Sequence, residues 1–295
     1  MDAGRGLAVR LGRISSGSWI GFAVSTNSEQ WLPMPCLGVD PADTGTAIAM
    51  ARLWESWGYP QPADELVRAD ALHCPITPNQ RIVGAGANFA AHAAEVGMSA
   101  SVIPHLFERS PSTLAASGDT LMITSTPDQH CDYEVELAVV VDCRPSASVG
   151  SPSSVFGYAV ANDLTLRALQ QTDPTITCAK SAPRSCPIGP YITTADELPE
   201  LGQLEMRSSV NGVLRQHAFL DEMVHSAVEL IAAIERAAPL RAGDVVLTGS
   251  PAGTAVGDSS VDFLQNGDVV ECSIAQIGSI QNTVRLRKQL QGALA

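Results

Sequence analysis

The residues with the clearest chemical potential are three acids in the segment CDYEVELAVVV, which spans residues 131–141. If the segment is a β-strand, Asp132, Glu134 and Glu136 point to one face, because successive side chains of a strand alternate between its faces. Three like charges on one face repel each other unless the face is well solvated or a cation binds there. A solvated strand edge is the simpler alternative, but the strand continues into LAVVV, which has the character of a buried segment. This weakens the solvated-edge interpretation and leaves a cation-binding face as the other interpretation.

A fourth acid lies where a predicted strand meets a predicted helix, in GYAVANDLTLRALQQ (157–171). Asp163 could simply cap this helix, which is the most common role of aspartate at such a junction. Helical spacing, however, would place Asp163, Arg167 and Gln170 on one face at i, i+4 and i+7, a set that can bind a metal and orient an anionic substrate. Ligation by three carboxylates, the two glutamates and Asp163, favours Mg²⁺, Mn²⁺ or Ca²⁺ over zinc, because these hard cations prefer oxygen.

The elements that must position these residues are mostly short β-type runs, several of which follow Gly-Asp turns. The predicted strands are Arg81–Gly84, Thr120–Ile123, Glu134–Val141, Val155–Ala161, Tyr191–Thr193, Leu204–Val210, Val245–Leu247 and Val269–Ile274. Helices are predicted over Leu164–Gln171 and over Met223–Ala237, the second with Val224 on its apolar face. Because helices do not alternate with strands, the predicted fold class is α+β, mostly β, and not a doubly wound α/β fold.

The first 77 residues or so differ in composition from the rest of the chain. They have short apolar runs among Gly, Ser and Pro and one helical pattern near Thr44–Trp57. The segment HCPITPNQ (73–80) follows, and its two prolines disfavour regular structure. We therefore predict a small N-terminal accessory domain over 1–77 and a larger domain over 78–295. A nucleotide site is not predicted at VGAGANF (83–89), which lacks the third glycine and the long βαβ unit, so its glycines are interpreted as turn residues beside a ligand.

Composition argues against several classes of partner. The 295 residues carry a net charge of −13, with 17% charged and 45% apolar residues. Most of such a surface repels nucleic acid, so a small ligand is expected instead. No apolar run approaches the ~20 residues needed to cross a bilayer, and the N-terminus lacks the apolar stretch of a signal peptide, so a cytoplasmic location is expected. The seven cysteines contain no C-x-x-C pair, which favours reduced, mostly buried thiols.

Eight segments, in order over roughly residues 81–287, resemble the fumarylacetoacetate hydrolase family. They are GANFAAHAAEVG (86–97), PHLFERSPSTL (104–114), DYEVELAVVV (132–141), GYAVANDLTLRALQ (157–170), CAKSAPRSCPIGPY (178–191), VNGVLRQ (210–216), LRAGDVVLTGSPAGTAVG (240–257) and FLQNGDVVECSIAQIGSI (263–280). The resemblance implies a mostly β catalytic domain behind a small N-terminal domain, usually in a homodimer. It also implies a small 2-oxo acid as substrate and a divalent metal, normally Mg²⁺ or a relative.

The resemblance assigns the metal and the catalytic pair to particular residues. Glu134, Glu136 and Asp163 match the metal ligands, and His92 and Glu95 match a catalytic pair in the segment that closes over substrate. Taken alone, the pair would be an ordinary i,i+3 contact on a helix; its place after GAGANF favours catalysis. Asp132 is interpreted as a neighbour of the metal site. The remaining histidines lack ligand spacing and are interpreted as structural or surface residues: His73, His105, His130, His217 and His225.

Other matching positions are expected to surround the substrate. Arg167 and Gln170 would position it, and Lys180, grouped with the catalytic residues, would neutralise its anionic form. Ser250 replaces the threonine of a T-G-T-P turn, and Arg109 stands where a lysine is common, so both are expected to bind substrate.

The predicted function is metal-dependent hydrolysis of a C–C bond in an acylpyruvate-type 2-oxo acid. The reaction would pass through a metal-stabilised enolate, with His92 and Glu95 activating water. Alternatives on the same scaffold are decarboxylation, tautomerisation, isomerisation or hydration, and a catalytically degenerate binding protein. The last is suggested by residues 181–187, SAPRSCP, where the family reads S-F-D-x-F-x-P. This departure bears on the identity of the substrate more than on the metal.

Overall fold

The computed structural model describes residues 9–37, 41–56, 65–98, 103–124, 130–142, 154–172 and 175–287. Within these ranges the strands are β1 (Arg10–Ser16), β2 (Trp19–Ser25), β3 (Leu32–Pro33), β4 (Ala71–His73), β5 (Ile82–Gly86), β6 (His105–Arg109), β7 (Leu114–Ala115), β8 (Thr120–Thr124), β9 (Cys131–Asp132), β10 (Val135–Val141), β11 (Val155–Asn162), β12 (Thr165–Leu166), β13 (Cys186–Thr194), β14 (Glu205–Val210), β15 (Val213–Phe219), β16 (Val245–Leu247), β17 (Val269–Ile274) and β18 (Gly278–Arg287). The helices are α1 (Thr44–Ser56), α2 (Ala90–Glu95), α3 (Arg167–Thr172) and α4 (Ala227–Glu235). Among the described residues, no helix combines the length and apolarity that a membrane crossing requires.

Most strands belong to one of two sheets that share a hydrophobic core. The larger sheet has 11 strands, with the main path β3-β2-β1-β13-β11-β10-β16-β5-β6 and with β4 and β7 attached to β1 and β13. The smaller sheet has 5 strands in the order β15-β14-β17-β18-β8. Leu137 of the larger sheet, Met206 of the smaller sheet and Ile231 of α4 belong to the same buried cluster. The predicted α+β, mostly β class is confirmed.

Strand β10 is covered on both faces. Val135, Leu137 and Val139 belong to the core shared with the smaller sheet, whereas Ala138 and Val140 belong to a second core that contains residues of α1 and the N-terminal strands. A strand buried on both sides needs apolar residues at successive positions, which explains the run LAVVV. The predicted alternation therefore holds within β10, where Glu136 falls on the same face as Ala138 and Val140. The single strand predicted through Asp132 is interrupted, because Asp132 belongs to β9, which pairs with β12.

The N-terminal strands continue the larger sheet. Leu11 of β1 pairs with Ile192 of β13, so the two strands are neighbours in one sheet. Ile48 and Trp54 of α1 lie in the same buried cluster as Ala138. Residues on both sides of the predicted boundary at 77 and 78 thus share a sheet and a core, and the division into two domains stays a prediction.

Helix α3 begins later than predicted. The helix starts at Arg167 and not at Leu164, because Thr165 and Leu166 form β12 and pair with β9. Two residues that fit the apolar period of a helix are therefore in a strand, where the partner strand supplies their hydrogen bonds. The spacing of residues within the segment does not reveal that β9 pairs with it.

Helix α4 also begins later than predicted, at Ala227 instead of Met223. Ser226 caps it, since the Ser226 hydroxyl accepts the backbone N–H of Glu229 at 3.3 Å. Val224, predicted on the apolar face of this helix, lies before the cap and is 38% exposed. The capping pair marks the start of the helix more reliably than the apolar period.

The described cysteines are free thiols, as predicted, but only half of the six are buried. Cys131, Cys186 and Cys272 are buried, Cys74 is intermediate, and Cys36 and Cys178 are exposed. Cys143 lies outside the described residues. The expectation of mostly buried thiols is therefore too strong.

Candidate active site

Two neighbouring strands bring the three predicted metal ligands to one point. Glu134 directly precedes β10, Glu136 is its second residue, and Asp163 follows directly after β11. These strands are antiparallel, and the Asp163 N–H donates to the carbonyl oxygen of Glu134 at 2.8 Å. One carboxylate oxygen of each acid consequently lies within 4.8 Å of the others, and all three side chains are buried. We refer to Glu134, Glu136 and Asp163 as the acidic centre.

Three buried basic side chains contact the acidic centre. The Lys180 ammonium contacts the carboxylates of both Glu134 and Asp163. The Arg109 guanidinium contacts Asp163 through Nη1, and Arg167 Nη2 lies 2.7 Å from Glu134 Oε1. Glu134 and Asp163 therefore each contact two of these cations directly, which offsets the cost of burying charged groups.

The two glutamates of the acidic centre are in different electrostatic environments. Burial alone would raise the pKa of Glu134, but the charges of Arg167 and Lys180 outweigh it and hold that pKa well below its usual range. Burial and the negative charge of Asp163 raise the pKa of Glu136 well above its usual range. Glu136 is therefore the carboxylate of the centre that the chain's own cations compensate least.

The acidic centre fits a divalent cation. Three buried carboxylates provide oxygen ligands that one ion can bridge, which is the donor chemistry preferred by Mg²⁺, Mn²⁺ and Ca²⁺. A cation would also remove the repulsion that raises the pKa of Glu136. The Lys180 ammonium already lies against Glu134 and Asp163, so the centre accepts positive charge. The identity of the metal stays a prediction.

Asp163 reaches the centre by a route that helical spacing did not predict. It lies outside α3, because the next residue, Leu164, donates its N–H to the carbonyl oxygen of Ser185 at 3.1 Å. Arg167 and Gln170 do share the helix, and Arg167 Nη1 donates to Gln170 Oε1 at 2.9 Å. The predictions that Asp163 caps the helix, or lies on one helical face with these two residues, are both wrong.

Asp132 lies beside the acidic centre without joining it. Its Oδ2 accepts from Arg167 Nε at 2.8 Å, and its carboxylate also accepts the backbone N–H groups of Ala255 and Val256 at 3.0 and 3.1 Å. The carboxylate is therefore occupied in holding Arg167 and the chain at 255–256. This is a neighbouring position, as the sequence indicated.

Helix α2 carries the predicted His–Glu pair. His92 Nδ1 lies 3.1 Å from Glu95 Oε2 across one turn, and His92 Nε2 lies 3.7 Å from Glu134 Oε1. Glu95 also accepts the Gly253 N–H at 2.8 Å. Burial opposes protonation of His92, but the contacts with Glu134 and Glu95 outweigh it and raise the pKa of His92. The pair thus presents an oriented imidazole nitrogen to the acidic centre, which is the geometry of a general base.

A buried amide without a predicted role joins the smaller sheet to the site. Gln216 of β15 accepts the Val135 N–H at 3.0 Å and the Ser208 hydroxyl at 2.8 Å. Its Nε2 donates to Ser250 Oγ and to the Pro251 carbonyl oxygen, both at 2.7 Å. Gln216 therefore holds both the backbone between Glu134 and Glu136 and the hydroxyl of Ser250. The segment VNGVLRQ contains one glutamine, and nothing in its sequence predicts contacts with Val135 or Ser250.

The segment 181–187, which departs from the family pattern, contacts Arg109 through Ser185. Arg109 Nη2 donates to Ser185 Oγ at 2.6 Å, and the small side chain of Ser185 occupies a position where the family pattern has an aromatic residue. Arg109 Nη1 contacts Asp163. Arg109 is 3% exposed and is not among the residues that line the cavity beside the acidic centre. The structure thus places Arg109 behind Asp163, and the predicted contact of Arg109 with substrate stays a prediction.

Two adjoining cavities lie beside the acidic centre. The inner cavity, of about 80 Å³, is lined in part by His92, Glu134, Glu136, Lys180 and Ser250. The outer cavity, of about 480 Å³, includes Glu95 and Val256 in its wall. Both are lined by the following residues: Val96, Met98, Arg167, Gln170 and Ile176. His105, which the sequence suggested was structural or at the surface, lines the inner cavity, and nothing in its spacing indicated this position.

A mostly β fold with a buried cluster of three carboxylates beside a His–Glu pair defines the class of protein. Residues 81–285 match the family described as fumarylacetoacetate (FAA) hydrolase C-terminal. The chain therefore belongs to the fumarylacetoacetate hydrolase family, as its eight ordered segments indicated.

Relatives within this family differ in their named reactions. The oxaloacetate tautomerase YisK of Bacillus subtilis (strain 168) is 33% identical over 249 residues, which cover 80% of this chain and 82% of YisK. The fumarylacetoacetate hydrolase of the psychrophile Exiguobacterium antarcticum is 27% identical with a TM-score of 0.77, covering 95% of this chain and 100% of that chain. The maleylpyruvate hydrolase of Sphingobium sp. SYK-6, solved with manganese(II) and pyruvate, shares the fold at 24% identity and a TM-score of 0.74, covering 95% of this chain and 100% of that chain. The fold expectation is confirmed, and the reaction has to be argued from the site.

Proposed function

We propose that this protein is a divalent-metal-dependent hydrolase that cleaves a carbon–carbon bond in an acylpyruvate-type 2-oxo acid. The observation that carries the proposal is the position of His92, whose Nδ1 contacts Glu95 and whose Nε2 faces Glu134 of the acidic centre. Membership of the family supports an enzyme, and the buried acidic centre supports a metal.

Glu134, Glu136 and Asp163 would hold the metal, with Mg²⁺ as the first expectation. When bound, the cation supplies Lewis-acid chemistry to the carboxylate and adjacent oxo group of the substrate. Lys180 adds a second positive charge at Glu134 and Asp163, and so helps to neutralise the anionic end of the substrate. The proposed substrate end is therefore the 2-oxo acid end.

His92 acts as the general base in this proposal. Glu95 orients the ring through Nδ1, which leaves Nε2 to take a proton from a water molecule in the inner cavity. The hydroxide adds to the carbonyl at carbon 4, the bond between carbons 3 and 4 breaks, and the proton held on His92 is delivered to carbon 3. One acylpyruvate and one water thus yield pyruvate, a carboxylate and a proton.

The predicted substrate-binding residues differ in how directly they would contact the substrate. Arg167 and Gln170 line both cavities and would position the substrate between them. Ser250 accepts a hydrogen bond from Gln216, which leaves its own hydroxyl hydrogen to donate into the inner cavity. Arg109 would act through Asp163, which it contacts directly.

The proposed partner is a small 2-oxo acid, with no role for nucleic acid or membrane. The acidic composition that argues against nucleic acid also makes the buried cations around the acidic centre the local attraction for an anionic substrate. The homodimer and the cytoplasmic location stay predictions.

Tautomerisation of a 2-oxo diacid is the second candidate, favoured by the 33% identity to a protein named oxaloacetate tautomerase. That reaction moves a proton between carbon 3 and the 2-oxo oxygen. His92 could carry the proton without activating water, so the same geometry serves both reactions. The discriminating quantity is whether pyruvate and a carboxylic acid are released.

The test is an assay of 2,4-dioxo acids with Mg²⁺ or Mn²⁺, in which pyruvate and the released acid are quantified by chromatography. We expect His92→Ala to lower kcat by at least about 100-fold, the usual size of a general-base contribution. Binding of Mn²⁺, measured by calorimetry, should persist in this variant because all three carboxylates remain. The control is His217→Ala, a change at an exposed histidine of β15 that should leave kcat unaltered.

Two outcomes would contradict hydrolysis. Rapid tautomerisation of oxaloacetate with no pyruvate released from any 2,4-dioxo acid would favour the second candidate. A panel of 2-oxo acids that is neither hydrolysed nor tautomerised would favour a binding protein. Full hydrolysis by His92→Ala would remove His92 from the mechanism.

A further inference from the structure

We propose that the outer cavity holds the tail of the substrate and selects a tail without charge. The substrate would then be an acylpyruvate whose acyl group is aliphatic or aromatic, and not a dicarboxylate. This inference rests on the proposed function in one respect, because the 2-oxo acid end must lie at the acidic centre.

The sizes and walls of the two cavities place the tail. The inner cavity, at about 80 Å³, is roughly one sixth the size of the outer cavity, at about 480 Å³, so most of the room lies away from the acidic centre. Arg167, Gln170 and Ile176 belong to the walls of both cavities. A molecule whose 2-oxo acid end fills the inner cavity therefore extends past these side chains into the outer one.

Among the described residues, the outer cavity has no cation free to pair with a charged tail. Arg167 is the one basic residue among the described residues that line it, and its guanidinium is already engaged. Arg167 Nε lies 2.8 Å from Asp132 Oδ2, Nη2 lies 2.7 Å from Glu134 Oε1, and Nη1 lies 2.9 Å from Gln170 Oε1. Two carboxylates thus balance one guanidinium, which is only 2% exposed.

A negative charge is also present on the wall of this cavity. Glu95 lines it, and contacts with His92 and with the Gly253 N–H hold the pKa of Glu95 below its usual range despite partial burial. A carboxylate at the end of a substrate tail would meet a like charge there without gaining a cationic partner from the described wall. Like-charge repulsion therefore disfavours such a tail.

Apart from Glu95, Arg167 and the neutral amides of Gln170 and Gln171, the described wall is aliphatic. Val96, Met98, Ile176 and Val256 line the outer cavity and offer apolar surface to an uncharged tail. Ile176 has a backbone φ of 63°, a conformation that β-branched residues rarely adopt. Ile176 nevertheless lines both cavities, so its side chain lies on the path from the acidic centre to the outer cavity.

The experiment compares two substrates of similar length that differ at the end of the tail. We choose 2,4-dioxooctanoate, which ends in an ethyl group, and 2,4-dioxoheptanedioate, which ends in a carboxylate at that position. For the Mn²⁺-loaded full chain, kcat/KM and the dissociation constant are measured for both compounds. We expect at least about a tenfold preference for the octanoate in both quantities.

A charge introduced at the shared wall sharpens the test. Met98 is 42% exposed, so Met98→Lys should be tolerated, and its ammonium would supply the missing counter-ion. We expect the preference for the octanoate to fall at least about threefold, through a gain for the heptanedioate. Leu53→Lys is the matched control, because Leu53 is 47% exposed on α1 and does not line either cavity.

The outcomes separate this inference from the proposed hydrolysis. Equal or stronger turnover and binding of the heptanedioate by the unmodified protein would overturn the inference while leaving hydrolysis intact. If neither compound is hydrolysed, the proposed function fails, and tighter binding of the octanoate would still support an uncharged tail. Absence of binding by either compound, or an unchanged preference in Met98→Lys, would overturn the inference.

Discussion

Buried carboxylates in two regions of the molecule differ in how their charge is balanced. In the acidic centre, Asp163 is fully buried and contacts both the Arg109 guanidinium and the Lys180 ammonium. Just after β13, which pairs with β1, the Glu197 side chain is 8% exposed, and its ion-pair partner Arg10 is 3.7 Å away. Burial raises the pKa of Glu197 to about 7, and Arg10 opposes the shift only in part.

The difference shows that burial by itself does not mark a functional acid. A buried carboxylate stays ionised where cations touch it, and it takes up a proton more readily where they do not. In the acidic centre, Arg167 and Lys180 hold the pKa of Glu134 well below its usual range, whereas the charge of Glu197 reduces stability at neutral pH. Substitutions in the acidic centre and at Glu197 should therefore change the free energy of unfolding by different amounts and in different directions.

The largest effect is expected within the acidic centre. Asp163→Asn leaves Arg109 and Lys180 without a counter-charge and should lower the free energy of unfolding by about 3–5 kcal/mol. Glu136→Gln replaces a carboxyl group whose ionised form burial and Asp163 already disfavour, and should leave the metal-free protein at least as stable as the parent. Urea unfolding in the presence of a chelator measures both.

Both substitutions should weaken Mn²⁺ binding by at least about 100-fold, because each removes a carboxylate that is proposed to hold the metal. Glu108→Gln, at an exposed acid on β6, is the control and should alter neither quantity. Equal losses of stability in Asp163→Asn and Glu136→Gln would show that the two acids are not balanced differently.

An intermediate effect is expected at Gln216, a neutral buried group whose hydrogen bonds are all made within the chain. Gln216→Ala leaves the Val135 N–H and the Ser250 hydroxyl without this partner and should cost about 2–3 kcal/mol of stability. Gln265→Ala, at an exposed glutamine, should change stability by no more than about 0.5 kcal/mol. Chemical denaturation of the two variants side by side tests this, and similar losses would contradict a special role for Gln216.

The smallest effect is expected at Glu197, where the change should depend on pH. The folded pKa is raised to about 7, so the stabilising contribution of the protonated acid is fully present below its unfolded pKa and is lost as pH rises toward 7. Glu197→Gln should match the parent near pH 4 and exceed its stability at pH 8 by about 1 kcal/mol, a value reduced for solvent screening.

Arg10 and Asp196 are the charged groups that act on Glu197, and both remain in this variant. Thermal unfolding of parent and variant across this pH range provides the measurement. A constant difference at every pH would mean that Glu197 does not titrate between these limits.

Part of the fold and of the site was predictable because it follows from local periodicity. The two-residue period of β10 predicted which side chains share a face, and helical spacing predicted that His92 would meet Glu95 across one turn. Helix α1 was predicted for the same reason. The starts of α3 and α4 were not, since strand pairing decided the first and the cap at Ser226 decided the second.

The sequence by itself determined the set of chemical groups, namely three acids that can share a cation, a His–Glu pair and several basic residues. Only the tertiary structure decided which cation meets which acid. Arg109 and Asp163 are 54 positions apart, and Val135 and Gln216 are 81 positions apart, so no local period relates them. Backbone geometry limits the spacing of near neighbours, whereas the packing of two sheets and their connecting segments brings distant side chains into contact. The outer cavity, and with it the proposed choice of an uncharged substrate tail, belongs to this second kind of information.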